Sequence, residues 1–189
     1  RLFIDLAQRY QSLWSDMQSL HNATPKALFR VSSIDSVGTY IFPEVYQSFA
    51  EHYPNIKLQL WDYDTNLAYN HMEAGLLDLA FSSDFRYSRK VKTLPAFAEP
   101  MCFLCSSQAD YPSTVHPSML EAESEVLVRW SPEYLTWHTR WFPSERRPKI
   151  FLEKMSLLEH FLSRERNWAI VPASAAAALK QKSQIQMRQ

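Results

Sequence analysis

Short apolar runs alternate along this chain with segments whose apolar residues recur at helical spacing. Leu28 to Ser33, Ile56 to Trp61 and Leu77 to Phe81 are compact runs that predict strands, while Ser36 to His52 and Thr65 to Ala74 predict helices between them. That order predicts a parallel sheet with helices on its faces, because parallel strands need a crossover between them. Gly75 supplies a left-handed cap for the second helix, and Tyr53-Pro54-Asn55 turns the chain out of the first. Further strands are predicted at Val91 to Leu94 and at Met101 to Cys105, after which Pro112 and Pro117 punctuate a loop.

A second run opens with a strand from Val126 to Trp130. Ser131-Pro132-Glu133 then starts a helix, with a capping hydroxyl, a proline where an amide is dispensable and an acid in the first turn. A strand at Ile150 to Leu152, a helix from Ser156 to Ser163, a strand at Trp168 to Val171 and an alanine-rich helix from about Ala173 follow. Ahead of both runs, Phe3, Leu6, Tyr10, Leu13, Met17 and Leu20 keep the alternating three- and four-residue spacing of a coiled-coil seam. So short a seam needs a partner surface, either a second copy or the helix's own domain. Asn22-Ala23-Thr24-Pro25 marks a linker after it.

Composition narrows the function. At 189 residues and 46% hydrophobic content the chain can bury a core, in one domain or two small lobes. Twenty basic and 20 acidic residues give no net charge, so the chain as a whole has no electrostatic footprint for nucleic acid. No apolar run reaches the roughly 18 to 20 residues of a membrane span, and the N-terminus lacks a signal-peptide layout, which implies a cytoplasmic protein without membrane contact. The 2 glycines, Gly38 and Gly75, exclude glycine-rich phosphate loops. Cys102 and Cys105 have C-x-x-C spacing, but they fall in an apolar strand where they point to opposite faces, so ordinary buried thiols are expected. His21, His52, His71, His116 and His138 show no zinc spacing, and no nucleophile has a legible catalytic setting. No metal, no cofactor, no catalytic residue and no enzymatic activity are expected.

Phe42-Pro43, Phe49, Tyr53-Pro54, Ile56 to Leu60, Leu67, Met72-Glu73, Gly75 and Leu77-Asp78-Leu79-Ala80, followed far downstream by Trp168-Ala169-Ile170-Val171-Pro172, resemble the effector domain of LysR-type transcriptional regulators. The resemblance implies an α/β, two-lobed, periplasmic-binding-protein-like fold of type 2 with mainly parallel sheets, preceded by an N-terminal linker helix. Residues 1–24 would be that dimerisation helix, 25–98 and 174–189 lobe I, and 99–173 lobe II, with crossovers near 99–105 and 171–174. It also implies a small-molecule effector in the interlobe cleft, assembly as homodimer or homotetramer, and promoter DNA bound through a winged helix-turn-helix ahead of Arg1. Two departures stand out. Glu165-Arg166-Asn167-Trp168 replaces the family's Gly-x-Gly before the late strand, and the chain stops at Gln189 where the family usually continues, which would leave lobe I incomplete.

In sheets of this kind ligands bind beyond the carboxyl ends of the strands, near helix N-termini. Three groups answer to that position: Ser33, Asp35 and Ser36; Arg129, Trp130 and Ser131; and Ser156 with His160. Hydroxyls and free amides favour a carboxylate or hydroxylated ligand, to which Arg129 or Lys154 would add a charge-assisted bond. By resemblance Ser36 is the foremost effector contact. The competing reading makes these serines simple helix caps, Ser131 first. Asp35 opposes a purely anionic ligand unless it faces solvent, and His160 either titrates near neutrality or is partly buried. Trp137, Trp141 and Phe142 are expected to pack lobe II. An extracytoplasmic solute-binding protein would share the fold, but would open with a signal sequence in place of the heptad helix.

Overall fold

The computed structural model describes Gln11 and residues 27–142, 148–163, 166–181 and 185–188. The heptad positions Phe3, Leu6, Tyr10, Leu13, Met17 and Leu20 lie outside them. The chain divides into two compact units, one ending at Leu94 and one beginning at Pro95.

In the first unit, β1 (Ala27–Ser33) lies between β2 (Ile56–Asp62) and β3 (Leu79–Phe81), and both pairings are parallel. The register sets Val31 beside Leu60 and Leu79. The expected single helix over Ser36 to His52 is two, α1 (Asp35–Tyr40) and α2 (Pro43–His52). Pro43 has no amide to continue the first helix, but it suits the first position of the second. Phe42 at the break packs edge-on against Phe81, and Phe49 of α2 meets Phe29 of β1, so aromatic contacts seat this face on the sheet.

Asp64 caps α3 (Thr65–Glu73) by accepting the Leu67 amide at 2.8 Å. At the other end Leu76 N–H donates to the His71 carbonyl and Gly75 N–H to that of Met72, a Schellman closure with Gly75 at φ 70°. Three residues on, Asp78 accepts the Arg30 amide at 2.8 Å and its guanidinium at 3.1 and 3.2 Å, while its own amide returns a bond to the Arg30 carbonyl. The Gly-x-x-Asp-Leu-Ala stretch is thus a helix stop, a clamp on β1 and a strand, and the clamp delays β3 to Leu79. Val91 to Leu94, expected as a strand, has no ladder partner among the described residues.

The second unit is a mixed sheet. β4 (Met101–Ser106) runs antiparallel to both β7 (Trp168–Pro172) and β8 (Ile185–Arg188), while β5 (Val126–Val128) and β6 (Ile150–Leu152) pair in parallel. A parallel bridge from Glu125 to Trp168 sets β5 beside β7, giving the order β6-β5-β7-β4-β8. α4 (Pro132–Trp141), α5 (Leu158–Leu162) and α6 (Ala173–Lys180) follow β5, β6 and β7, with a 3₁₀ turn at Met155–Leu157 ahead of α5. Trp168, Leu104, Leu158, Leu162, Val171 and Ala175 form a fully buried core.

The boundaries differ from the expected ones at two places: the division falls between Leu94 and Pro95 and not after 98, and the C-terminal segment sits in the other unit. Residues 174–189 were assigned to lobe I, yet α6 packs on β4 and β7, and β8 pairs with β4. The described residues up to Arg188 therefore belong with the second unit, and the chain does not leave it near 171–174. The rebuilt turn before β7 is held by side chains: Asn167 Nδ2 donates to the Phe161 carbonyl at 2.9 Å and the Tyr111 hydroxyl to that of Arg166 at 3.0 Å.

A Cβ added at Gly75 meets nothing within 4 Å, so Gly75→Ala tests backbone conformation alone. The left-handed penalty predicts a loss of about 1–2 kcal/mol, read as a lower denaturant midpoint at unchanged slope.

Candidate functional site

The carboxyl end of β1 buries two hydroxyls. Ser32 is 0% exposed and its Oγ has no hydrogen-bond partner among the described residues, while Ser33 is buried beside Gly38 of α1. The space at Gly38 is spoken for, since a Cβ there would stand 2.7 Å from Ser33 Oγ. The N-cap of α1 is Ile34, whose side chain has no oxygen, so neither Ser33 nor Ser36 is a helix cap. Ser36 is half-buried, with no side-chain hydrogen bond among the described residues. Asp35 is half-buried too and accepts the Thr39 hydroxyl at 3.1 Å.

In the second unit the parallel pairing of β5 with β6, and the parallel bridge to β7, bring three strand ends to one edge. Beyond β5, Arg129 is exposed and lies over the Phe151 ring of β6 at 5.0 Å. Trp130 is half-buried and donates its indole N–H to the Ile170 carbonyl at 2.7 Å, a structural tie to β7. Ser131 does cap its helix, accepting the Tyr134 amide at 3.2 Å. Beyond β6, Ser156 and His160 are both exposed, the first in the 3₁₀ turn and the second in α5. Lys154, at the N-cap of that turn, is exposed as well. Trp137 and Phe142 pack against the Trp168 core, and Trp141 meets His116 edge-on.

Three features of these edges escaped the sequence reading. Ser32 sits one residue before the serine it singled out. At the third strand end, Glu99 accepts the Ser174 amide at 2.7 Å and the Ser174 hydroxyl at 3.0 Å, so a carboxylate of the chain itself occupies the first turn of α6. In α4, His138 Nε2 meets Glu125 Oε2 at 2.7 Å with both residues buried, and Glu125 Oε1 has no hydrogen-bond partner among the described residues. Burial and the Glu125 charge push the Tyr134 hydroxyl far above its ordinary range, so it stays protonated. Each pairing joins residues distant in sequence, and no local spacing signals it.

Cys102 and Cys105 are free thiols. Burial raises both above their ordinary range; Glu99 adds to the rise at Cys102, while Gln186 and Arg188 partly offset it at Cys105. Both therefore resist forming the thiolate that redox or metal chemistry needs. Among the described residues no group of three histidine, cysteine or carboxylate side chains is placed to hold a metal, and no helix is long and apolar enough to cross a membrane.

Comparison with known proteins places this geometry. The family model of the LysR substrate binding domain matches residues 22–189. No curated protein matches the chain. Among solved structures, a full-length OxyR variant from Pseudomonas aeruginosa aligns with a TM-score of 0.69 at 20% identity, over 97% of this chain and 65% of that one. The chain thus spans just under two thirds of that full-length protein. The regulatory domain of MexT, a transcriptional activator in Pseudomonas aeruginosa, aligns with a TM-score of 0.72 at 20% identity, over 88% of this chain and 82% of that one. The BenM effector binding domain, solved with its effector benzoate, aligns at 0.66 and 14% identity, over 86% and 77%. Identities this low establish a common fold.

The buried Glu125–His138 contact has a measurable consequence. His138→Ala leaves the carboxyl enclosed without its partner and is expected to cost about 3–5 kcal/mol in a denaturant titration, part of it recovered by adding Glu125→Gln. Additive losses in the double variant would refute the coupling.

Proposed function

This chain belongs to the family of LysR substrate binding domains, and from that premise we propose that it is the effector-sensing part of a LysR-type transcriptional regulator. The effector is a small carboxylate or hydroxylated compound held at the carboxyl ends of the strands. The observation that carries this reading is the Ser32 hydroxyl, fully buried near the end of β1 with no partner among the described residues, in the strand end that leads through Ser33 into Ser36 of α1. A buried hydroxyl left unpaired is costly, and a ligand oxygen admitted by a local opening of this strand end supplies the missing partner. Ser36, half-buried in the first turn of α1, is the contact nearer the surface. In the second unit Arg129, Trp130, Ser131, Ser156 and His160 line the corresponding strand ends, although Trp130 and Ser131 have part of their bonding capacity engaged.

The Glu99–Ser174 pair supports a carboxylate, because it shows which groups this kind of strand end offers to one: a backbone amide and a hydroxyl. Sensing requires only that ligand bind one conformation better than another; no bond need be made or broken. Assembly into homodimers or homotetramers through the heptad-patterned segment before residue 25, promoter DNA bound through a winged helix-turn-helix, and a cytoplasmic location complete the proposal. The solute-binding alternative shares the fold and is not favoured by the family match.

The test is a thermal-shift screen of the chain against small carboxylates, amino acids and aromatic acids, repeated with Ser36→Ala. A true effector at a hundred times its Kd adds about 2.7 kcal/mol of stability, and the variant is expected to lose most of that shift. Silence across the panel, or an equal shift in the variant, would count against the reading.

A further inference from the structure

The loop after β3 gathers charge and bare aromatic surface. Residues 85–92 read Phe-Arg-Tyr-Ser-Arg-Lys-Val-Lys, four cations without a carboxylate, in a chain whose net charge is zero. Arg86 is turned onto α3: its Nη1 donates to Asn70 Oδ1 at 2.8 Å, its Nη2 lies 4.0 Å from Glu73, and its guanidinium stands over the Tyr69 ring. A second tie joins the Tyr69 hydroxyl to Thr93 Oγ1 at 2.8 Å, and Ser88 Oγ accepts the Lys90 amide at 3.1 Å. The loop is therefore held against the first unit at both ends. On this fixed platform Phe85 is 67% and Tyr87 75% exposed. Arg89, Lys90 and Lys92 are exposed too, and none of them has an ion-pair partner among the described residues.

Solvated lysines alone mean little. Here two anchored, uncovered rings stand among three unpaired cations, and one class of partner satisfies both. A nucleic acid strand offers phosphates to the cations and the flat faces of unpaired bases to the rings. An acidic protein segment offers the charge without the faces. We propose that residues 85–92 form a contact surface for single-stranded nucleic acid, Arg89, Lys90 and Lys92 meeting phosphates and Phe85 and Tyr87 stacking on bases. This attraction is local, so it is compatible with the neutral charge of the whole chain, and it does not rest on the proposed effector.

The experiment titrates the full chain into a short fluorescein-labelled single strand of mixed sequence, followed by anisotropy at several salt concentrations. Binding is expected at low salt. Arg89→Glu combined with Lys90→Glu and Lys92→Glu removes three phosphate contacts and is expected to flatten the slope of log K against log salt by about 2. Tyr87→Ala is expected to weaken binding about tenfold through the loss of one stacked base. All four positions are exposed, and circular dichroism confirms that the variants fold. Unchanged affinity and slope in the charge-reversed variant would overturn the proposal. So would equal binding of a blunt duplex with Tyr87→Ala silent, or competition by polyglutamate as strong as by unlabelled strand, either of which makes the loop a general acceptor of polyanions.

Discussion

Trp168 enters the second unit with no exposed surface, and its size dictates what surrounds it. Its ring lies 5.4 Å from that of Phe142 and 6.0 Å from that of Phe103, while its indole N–H donates to the Glu121 carbonyl at 2.9 Å. A buried indole withdraws some 150–250 Å² from water, and here it does so without stranding a donor. The bridge between Trp168 and Glu125 sets β5 alongside β7, and Glu125 in turn meets His138 of α4. The backbone bridge at Trp168 thus sets the strand order, and the residue it pairs with meets the helix.

That order has a chemical result. With β5, β6 and β7 parallel, their carboxyl ends share one edge, and a helix or 3₁₀ turn begins just beyond each. Ser131 spends its hydroxyl on its own helix, Ser174 spends its hydroxyl on Glu99, and Ser156 stands exposed. In the first unit, by contrast, the serines at the end of β1 lie outside the cap of α1, and one of their hydroxyls is enclosed and unmatched. The two units reach similar strand ends with different reserves of bonding capacity.

Features decided within a few residues were legible in the sequence. The Ser131-Pro132 start of α4, the Gly75 stop of α3 and the β6 strand at Ile150–Leu152 appear as read, because a cap, a left-handed turn and a short apolar run are local properties. The break at Pro43 was overlooked because the apolar spacing continues across it, while the missing amide does not. β8 was not foreseen, since Ile185–Arg188 becomes a strand only by pairing with β4 some eighty residues earlier. That pairing is also what sets the described part of 174–189 in the second unit, where the family resemblance implies lobe I. At the candidate site, strand-end logic found Ser33 and Ser36 but passed over Ser32, whose enclosure depends on neighbours brought up by the fold. The Glu99–Ser174 and Glu125–His138 pairings were not legible for the same reason.

The burial of Trp168 also gives the molecule a built-in optical contrast. Trp61 in the first unit is 41% exposed, Trp130, Trp137 and Trp141 in the second are partly open to water, and of the described tryptophans only Trp168 is completely withdrawn from it. An indole in apolar surroundings emits at shorter wavelength than a hydrated one. Among the described tryptophans the blue edge of the emission therefore belongs to the second unit, and loosening of its core is expected to appear as a loss at that edge.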